Sequence, residues 1–400
     1  MRNSDRGPVG RKQVPKEITH CLFAEKALHH LAASDFPLRR VAGRELLFLF
    51  EKQKEALLFG SVAPDIFYYD IPLPWEKRGP ANGAVWGDLI HGAHGEDTLR
   101  HVREMLRILR EPALQSPLTG GRPLSRDEHS LLLLFVMGYL AHVALDTLLH
   151  PFVYYYSGNY YAEDAAEKQR SEARHRAIET VYDLWNLERF GTTLAKYRPR
   201  ARIYLRDEPR YLVLGLLSLG LLRAWPKIAA QEFASGELPL DIRQHALFRI
   251  AHRSYKKQLL LNKMFQSRSV ARFGLWLNAR RNDALHANSS LLYPASTYRH
   301  YLAKAGKEAL AVESFKDYRD PVDNRPLPFS PARMERRILA RTQGMYRIVW
   351  SYLSGVSSEE QLQRRLRGFS LNNGRTGVAT SAMRYFFPLA IDGNFRFSNQ

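Results

Sequence analysis

Metal-binding side chains recur every fourth residue in the stretch Gly138 to Pro151, where His142, Asp146 and His150 stand at i, i+4 and i+8. On a helix these positions share one face. Their surroundings are apolar: Leu131 to Met137 precede them, and Val143, Leu145, Leu148 and Leu149 lie between. An unpaired aspartate buried there would cost several kcal/mol. A divalent cation removes that cost by supplying the opposite charge. Pro151 is expected to end the helix, with His150 on its last turn. His175 and Glu179 repeat the spacing of four, so one helix would offer two ligands to one ion. Imidazole and carboxylate together suit zinc, at roughly 2.0–2.2 Å per bond. A lone His-x-x-x-Asp is more often a surface ion pair. Two such pairs about 30 residues apart, one inside a strongly apolar helix, reverse that preference.

The elements that must position these residues read as helices. Ile18 to Leu31 carries Leu22, Ala24, Ala27, Leu28 and Leu31 on one stripe. Residues 44–59 repeat the pattern, and Gly60 to Asp65 reads as a loop or helix start. Further helices are expected near 95–110, 125–150, 165–190, 208–230, 240–275 and 331–354. Residues 70–84, 112–125 and 282–330 are rich in Pro, Gly or Ser and read as irregular. Strand patterns are scarce, and no internal repeat is found. The expected fold is all-α: a multi-helix bundle around a multinuclear metal site, with a helical C-terminal extension. The boundaries expected are a disordered basic tail over 1–16, a helical domain over 17–194, and a basic, mostly helical extension over 195–400.

The single cysteine, Cys21, excludes an internal disulfide framework and an all-thiolate metal site. The first residues are basic but lack an apolar run, so no secretory signal is expected and the cytoplasm is the expected location. The longest apolar runs, 131–141 and 211–222, fall short of the roughly 20 residues of a spanning helix. No transmembrane segment is expected. The net charge of +19 is unevenly placed. Residues 1–190 hold 24 Lys/Arg and 25 Asp/Glu, whereas residues 191–400 hold 35 and 15. That excess suits either a solvated basic surface or attraction to phosphate, in anionic lipid headgroups or nucleic acid.

Five segments, in order, resemble the zinc-dependent phospholipase C family: Thr19-His20, Gly60 to Asp65, Gly87-Asp88-Leu89-Ile90-His91, the His142/Asp146/His150 helix, and His175/Glu179. The resemblance covers about residues 17–190. The same fold carries zinc nucleases that act on single-stranded nucleic acid. Carried over residue by residue, the resemblance implies one zinc position at Asp65, His91, His142 and Asp146. It implies a second at His150, His175 and Glu179, which leaves room for water. A third would take His20 and share Asp146. In the family a free N-terminal amine completes that third position; here about 19 residues precede His20. Two Zn2+ ions are therefore expected, with a third conditional on such an amine. Asp65 is the implied general base. His94 competes with His91, which the Gly-Asp-Leu-x-His match favours.

The other histidines, His29, His30, His101 and His129, read as surface or core residues, as does Cys21. The aromatic run Phe152 to Tyr161 reads as a core wall or, alternatively, as a rim for a choline-like headgroup. Asn288 to Pro294 and Tyr318 to Val322 are candidates to fold back over the cleft, and His286 is an outlying candidate site residue. The expected activity is metal-assisted phosphodiester hydrolysis, phospholipase C-like, on phospholipid or another phosphodiester, with peripheral contact to anionic membrane. A nuclease-like phosphodiesterase and a non-catalytic zinc-stabilised binding protein are the alternatives. No GxSxG elbow or Walker loop supports a serine hydrolase or P-loop reading.

Overall fold

The computed structural model describes residues 17–33, 37–71, 83–233, 238–267, 269–270, 273, 318–327, 330–391 and 397–398. The expectations for 1–16, most of 70–84 and most of 282–330, including His286 and Asn288 to Pro294, fall outside them. Helices dominate: α1 (Ile18–Ala32), α2 (Pro37–Gly60), α3 (Gly83–His91), α4 (Arg100–Arg110), the single turn α5 (Ser116–Thr119), α6 (Arg126–Ser157) and α7 (Ala165–Arg189). The short α8 (Leu194–Tyr197) and α9 (Pro199–Arg202) follow. Then come α10 (Asp207–Ala224), α11 (Pro226–Phe233), α12 (Ala246–Phe265), α13 (Pro331–Leu353) and α14 (Glu359–Arg365). Extended pairing among the described residues is confined to Ala390–Ile391 against Phe397–Ser398 and a bridge between Arg319 and Pro326. The fold is all-α.

Helix α6 is the axis of the structure. Ser125 begins it with a capping box: its hydroxyl accepts the Glu128 amide, and the Glu128 carboxylate accepts the Ser125 amide. From Ser130 onward every residue of α6 is buried. Such a helix, apolar on all sides, belongs at the centre of a large core. By length and composition α6 would suffice to cross a bilayer, but its apolar window is wholly covered by other helices. Helices α1, α2, α7, α10 and α13 pack around it. One continuous hydrophobic core includes Ile18, Phe59, Leu140, Leu217, Tyr255, Val349 and Leu389. It therefore draws on both sides of residue 195.

Two expected helix ends are corrected. Pro151 does not stop α6, which runs on to Ser157. Proline has no N–H for the Thr147 carbonyl, and the backbone of Gly374 packs against that carbonyl instead. A Cβ built on Gly374 would lie 2.3 Å from the Thr147 oxygen. The helix expected over 208–230 is two: α10 ends at Ala224, and α11, beginning at Pro226, turns away by 104°.

The closest crossing is that of α2 on α6. A Cβ on Gly60 would lie 2.1 Å from the Phe135 oxygen, and one on Gly138 1.9 Å from the Leu57 oxygen. Backbone meets backbone there, which only glycine permits. The crossing lies one helical turn before His142.

Candidate metal centre

Five elements bring the eight singled-out side chains together. His20 lies on the first turn of α1, Asp65 on the 3-10 turn Ala63–Tyr69, and His91 at the end of α3. His142, Asp146 and His150 come from α6, and His175 and Glu179 from α7. Their donor atoms form three groups, the first two sharing His142: His20/Asp65/His142, His91/His142/Asp146, and His150/His175/Glu179.

In the first part of the cluster, His91 Nε2 lies 3.0 Å from Asp65 Oδ1 and His142 Nε2 2.9 Å from Asp146 Oδ2. His142 Nδ1 lies 3.9 Å from Asp65 Oδ2, and His20 Nε2 3.5 Å from Asp146 Oδ1. The His20 and His142 rings stack with centroids 4.2 Å apart. Two of these rings are aimed by backbone carbonyls. His91 Nδ1 meets the Gly87 oxygen at 2.8 Å, and His142 Nδ1 meets the Ser61 oxygen at 2.9 Å. Each Nδ1 then carries the proton and each Nε2 is left free to ligate. Ser61 follows Gly60, so the close helix crossing is what delivers its carbonyl.

In the second part, His175 Nε2 lies 3.1 Å from Glu179 Oε1 and His150 Nε2 3.6 Å from the same oxygen. His150 Nδ1 lies 3.5 Å from Asp146 Oδ2, so Asp146 links the two parts. No carbonyl holds His175: its Nδ1 has no hydrogen-bond partner. Tyrosine rings flank it instead, Tyr154 at 4.8 Å and Tyr160 at 5.8 Å. The His150 and Glu179 side chains retain 11% and 10% exposure, against 0% and 1% for His142 and Asp146.

The electrostatics describe a charge well. Burial works against ionising Asp146, but His142, His150 and His20 hold its carboxyl far below the usual range. Burial likewise opposes ionisation of Glu179, and His175 and His150 bring it down to about 2. Burial pulls His150 down, but Asp146 and Glu179 outweigh it and hold it at about 9. Burial, reinforced by His142, lowers His20 to about 4.

A divalent cation fits this donor set. Both Asp146 oxygens, His142 Nε2, His20 Nδ1, His150 Nδ1 and Glu179 Oε2 are buried without a hydrogen bond. Their close approaches lack hydrogen-bond direction, so the atoms face a shared centre rather than one another. Unpaired buried polar atoms are rare in folded proteins, and a cluster of oxygen and imidazole donors is what zinc takes.

The bland readings of the remaining residues agree with the structure. His94 is exposed, whereas His91 is buried on Asp65. His29 and His30 are exposed, His129 is half-buried, and His101 is a core residue bonded to the Tyr139 hydroxyl at 2.7 Å. Cys21 is buried, its thiol pushed up by burial. In the aromatic run, Phe152 and Tyr154 to Tyr156 are buried, while Tyr160 and the partly exposed Tyr161 lie at its end.

Three features escaped the sequence reading. The Ser61 and Gly87 carbonyls are backbone atoms and carry no residue signature. Asp183 did carry a signal that went unread, because it continues the spacing of four from His175 and Glu179. It accepts the Ile18 and Thr19 amides at 3.2 and 2.7 Å and so pins the helix that carries His20. Glu17 lies buried beside it, accepting from Tyr69, Gln258 and Asn262.

The family model described as zinc dependent phospholipase C matches residues 19–235. No curated protein and no solved structure matches the chain.

Proposed function

The chain belongs to the zinc-dependent phospholipase C family, and from that premise we propose how its residues divide the work of phospholipid hydrolysis. Asp65, His91, His142 and Asp146 hold one zinc, and His150, His175 and Glu179 hold a second. His20, with Asp146 and Asp65 at hand, is the candidate for a third. When bound, such ions supply an acidified water and neutralise charge at phosphorus. The chain's own residues do the rest. The Ser61 and Gly87 carbonyls fix the His142 and His91 tautomers. The helices exclude bulk water from the first group. Asp65, itself a member of that group, is the acceptor for the proton of the attacking water.

The observation that carries this reading is Asp146. It is fully buried, has no hydrogen bond on either oxygen, and lies within 3.5 Å of His20, His142 and His150. Such a carboxylate is stable only with cations beside it. Tyr160 and Tyr161 offer a cation–π edge beside the second group, suited to a quaternary ammonium headgroup. The exposed Arg333, Arg336 and Arg337 of α13 and Arg364, Arg365 and Arg367 beyond it supply a surface for anionic lipid.

The test is zinc analysis of the purified protein with assays on phosphatidylcholine vesicles and on single-stranded DNA. At least two zinc ions per chain are expected, with cleavage of lipid that the His142→Ala variant loses. Cleavage of DNA alone would move the substrate to nucleic acid, a reading favoured by the basic second half. If chelation melts the protein and no phosphodiester is ever cut, zinc only ties the helices together.

A further inference from the structure

The family match ends at residue 235, yet residues 366–389 lie directly on the elements that carry the cluster. The Leu371 amide donates to the His91 carbonyl and the Thr380 amide to the Ala93 carbonyl, both at 2.9 Å. The Thr98 hydroxyl donates to the Phe369 carbonyl at 2.7 Å. Farther along, the Phe387 and Leu389 amides donate to the Tyr155 and Tyr156 carbonyls at the end of α6, at 2.7 and 3.0 Å.

Two adjacent asparagines lie buried in this segment, and they do different things. Asn373 serves its own turn: its side-chain amide donates to the Val378 and Ala379 carbonyls, and its oxygen accepts the Arg375 amide. Asn372 reaches outward. Its nitrogen donates to the Thr380 hydroxyl at 2.9 Å, and its oxygen accepts the Tyr154 hydroxyl at 3.3 Å. Tyr154 in turn stands edge-on to His175 at 4.8 Å and to His150 at 5.9 Å. His175 has no hydrogen bond on Nδ1 to set its ring plane. Its Nε2 meets Glu179 Oε1 at 3.1 Å, so on the Nδ1 side the orientation that a carbonyl gives His91 and His142 comes from packing, and the nearest aromatic ring, Tyr154, is tethered by Asn372.

We propose that Asn372 is a positioning residue for the His150/His175/Glu179 metal group, acting through Tyr154. The proposal rests on the reading of that group as a zinc site. It assigns to the chain beyond residue 235 a part in holding a ligand that lies within the family match.

The test compares full-length wild type with Asn372→Ala, Tyr154→Phe, the double variant and the matched control Asn373→Ala. The readouts are zinc affinity by chelator competition, the visible spectrum of the cobalt-substituted protein, and thermal midpoint. Residues that orient metal ligands change affinity by about 10–100-fold on mutation. Asn372→Ala and Tyr154→Phe should each weaken the more loosely held ion by about 10-fold, alter the cobalt bands, and leave the tighter ion unchanged. The double variant should lose no more than either single one, because both act through one contact. Asn373→Ala should lower the midpoint and leave zinc affinity alone. Equal zinc loss in Asn372→Ala and Asn373→Ala would overturn the proposal, as would additive losses in the double variant. Tyr154→Phe decides the matter should Asn372→Ala fail to fold: unchanged affinity there also overturns it. A wild-type protein that takes up no zinc would instead overturn the metal-site reading beneath it.

Discussion

The two ends of the cluster are built by different means. His91 and His142 are held by backbone carbonyls at 2.8 and 2.9 Å, inside a wall of helices. His175 is held by tyrosine rings, and its partners His150 and Glu179 keep a tenth of their side-chain surface open. A carbonyl on a packed helix, like that of Gly87, or on the residue just past one, like that of Ser61, moves only if the helix moves. A ring held by other rings shifts with side-chain rotation. The first group is therefore the rigid, dry one, and the second the accessible one, where a ligand position can be given to water or substrate.

The largest effect should come from the residue both ends share. Asp146→Asn keeps the shape and removes the charge among three histidines; it should cost about 3–5 kcal/mol and empty both zinc positions. Full retention of one ion, by elemental analysis, would show that the ends are independent. Gly138→Ala should act on the rigid end alone. Its Cβ has no room against the Leu57 carbonyl, so α6 must back away from α2 and carry His142 off Ser61. We expect a loss of about 1–3 kcal/mol with weakened binding of the tighter ion and a near-normal second one. Equal weakening of both would remove the distinction. Chelation sharpens the contrast without mutation: a limiting chelator should take the ion at His150/His175/Glu179 first, and His150→Ala should still hold one zinc. Loss of both ions together would contradict the ordering.

The smallest effect is a pH signature of the zinc-free protein. His150 titrates near 9 in the fold against 6.5 as a free side chain. The folded state binds the extra proton, so this stability is present below pH 6.5 and disappears as pH rises to about 9. His20, lowered to about 4, and Glu17, raised by burial to about 7, act in opposite directions between pH 4.5 and 6.5 and largely offset there. Thermal midpoints without zinc should decline from pH 6.5 to 9, and His150→Ala should flatten that decline. With zinc the trend should reverse, since ligating histidines must be neutral. A decline of the same size in the zinc-loaded protein would count against His150 as a ligand.

His142, Asp146, His150, His175 and Glu179 were legible in the sequence from their spacing of four, whereas His20, Asp65 and His91 came only from the resemblance to the family, since no local spacing marks them. The all-α class was legible for a similar reason, in the helical spacing of Leu22, Leu28 and Leu31 and in the leucine-rich run before His142. What escaped was whatever depends on contacts across long stretches of sequence. Pro151 reads locally as a stop, yet the helix continues, and the approach of Gly374 to the Thr147 carbonyl it leaves unbonded has no local signature. Gly60 and Gly138 are unremarkable apart and decisive together. The link from Asn372 to Tyr154 spans 218 positions, beyond the reach of any local pattern.

That distance also orders events when the chain is made. The stretch holding all eight clustered side chains leaves the ribosome long before residue 371 exists, and early segments fold as they emerge. Contacts of such wide separation form late. A stalled or clipped product would therefore carry the full set of zinc donors and lack the piece that seats the His91 loop. Seating of the His91 loop belongs to residues 366–389, so loss of that segment should reach the clustered histidines and carboxylates before it reaches the helical core.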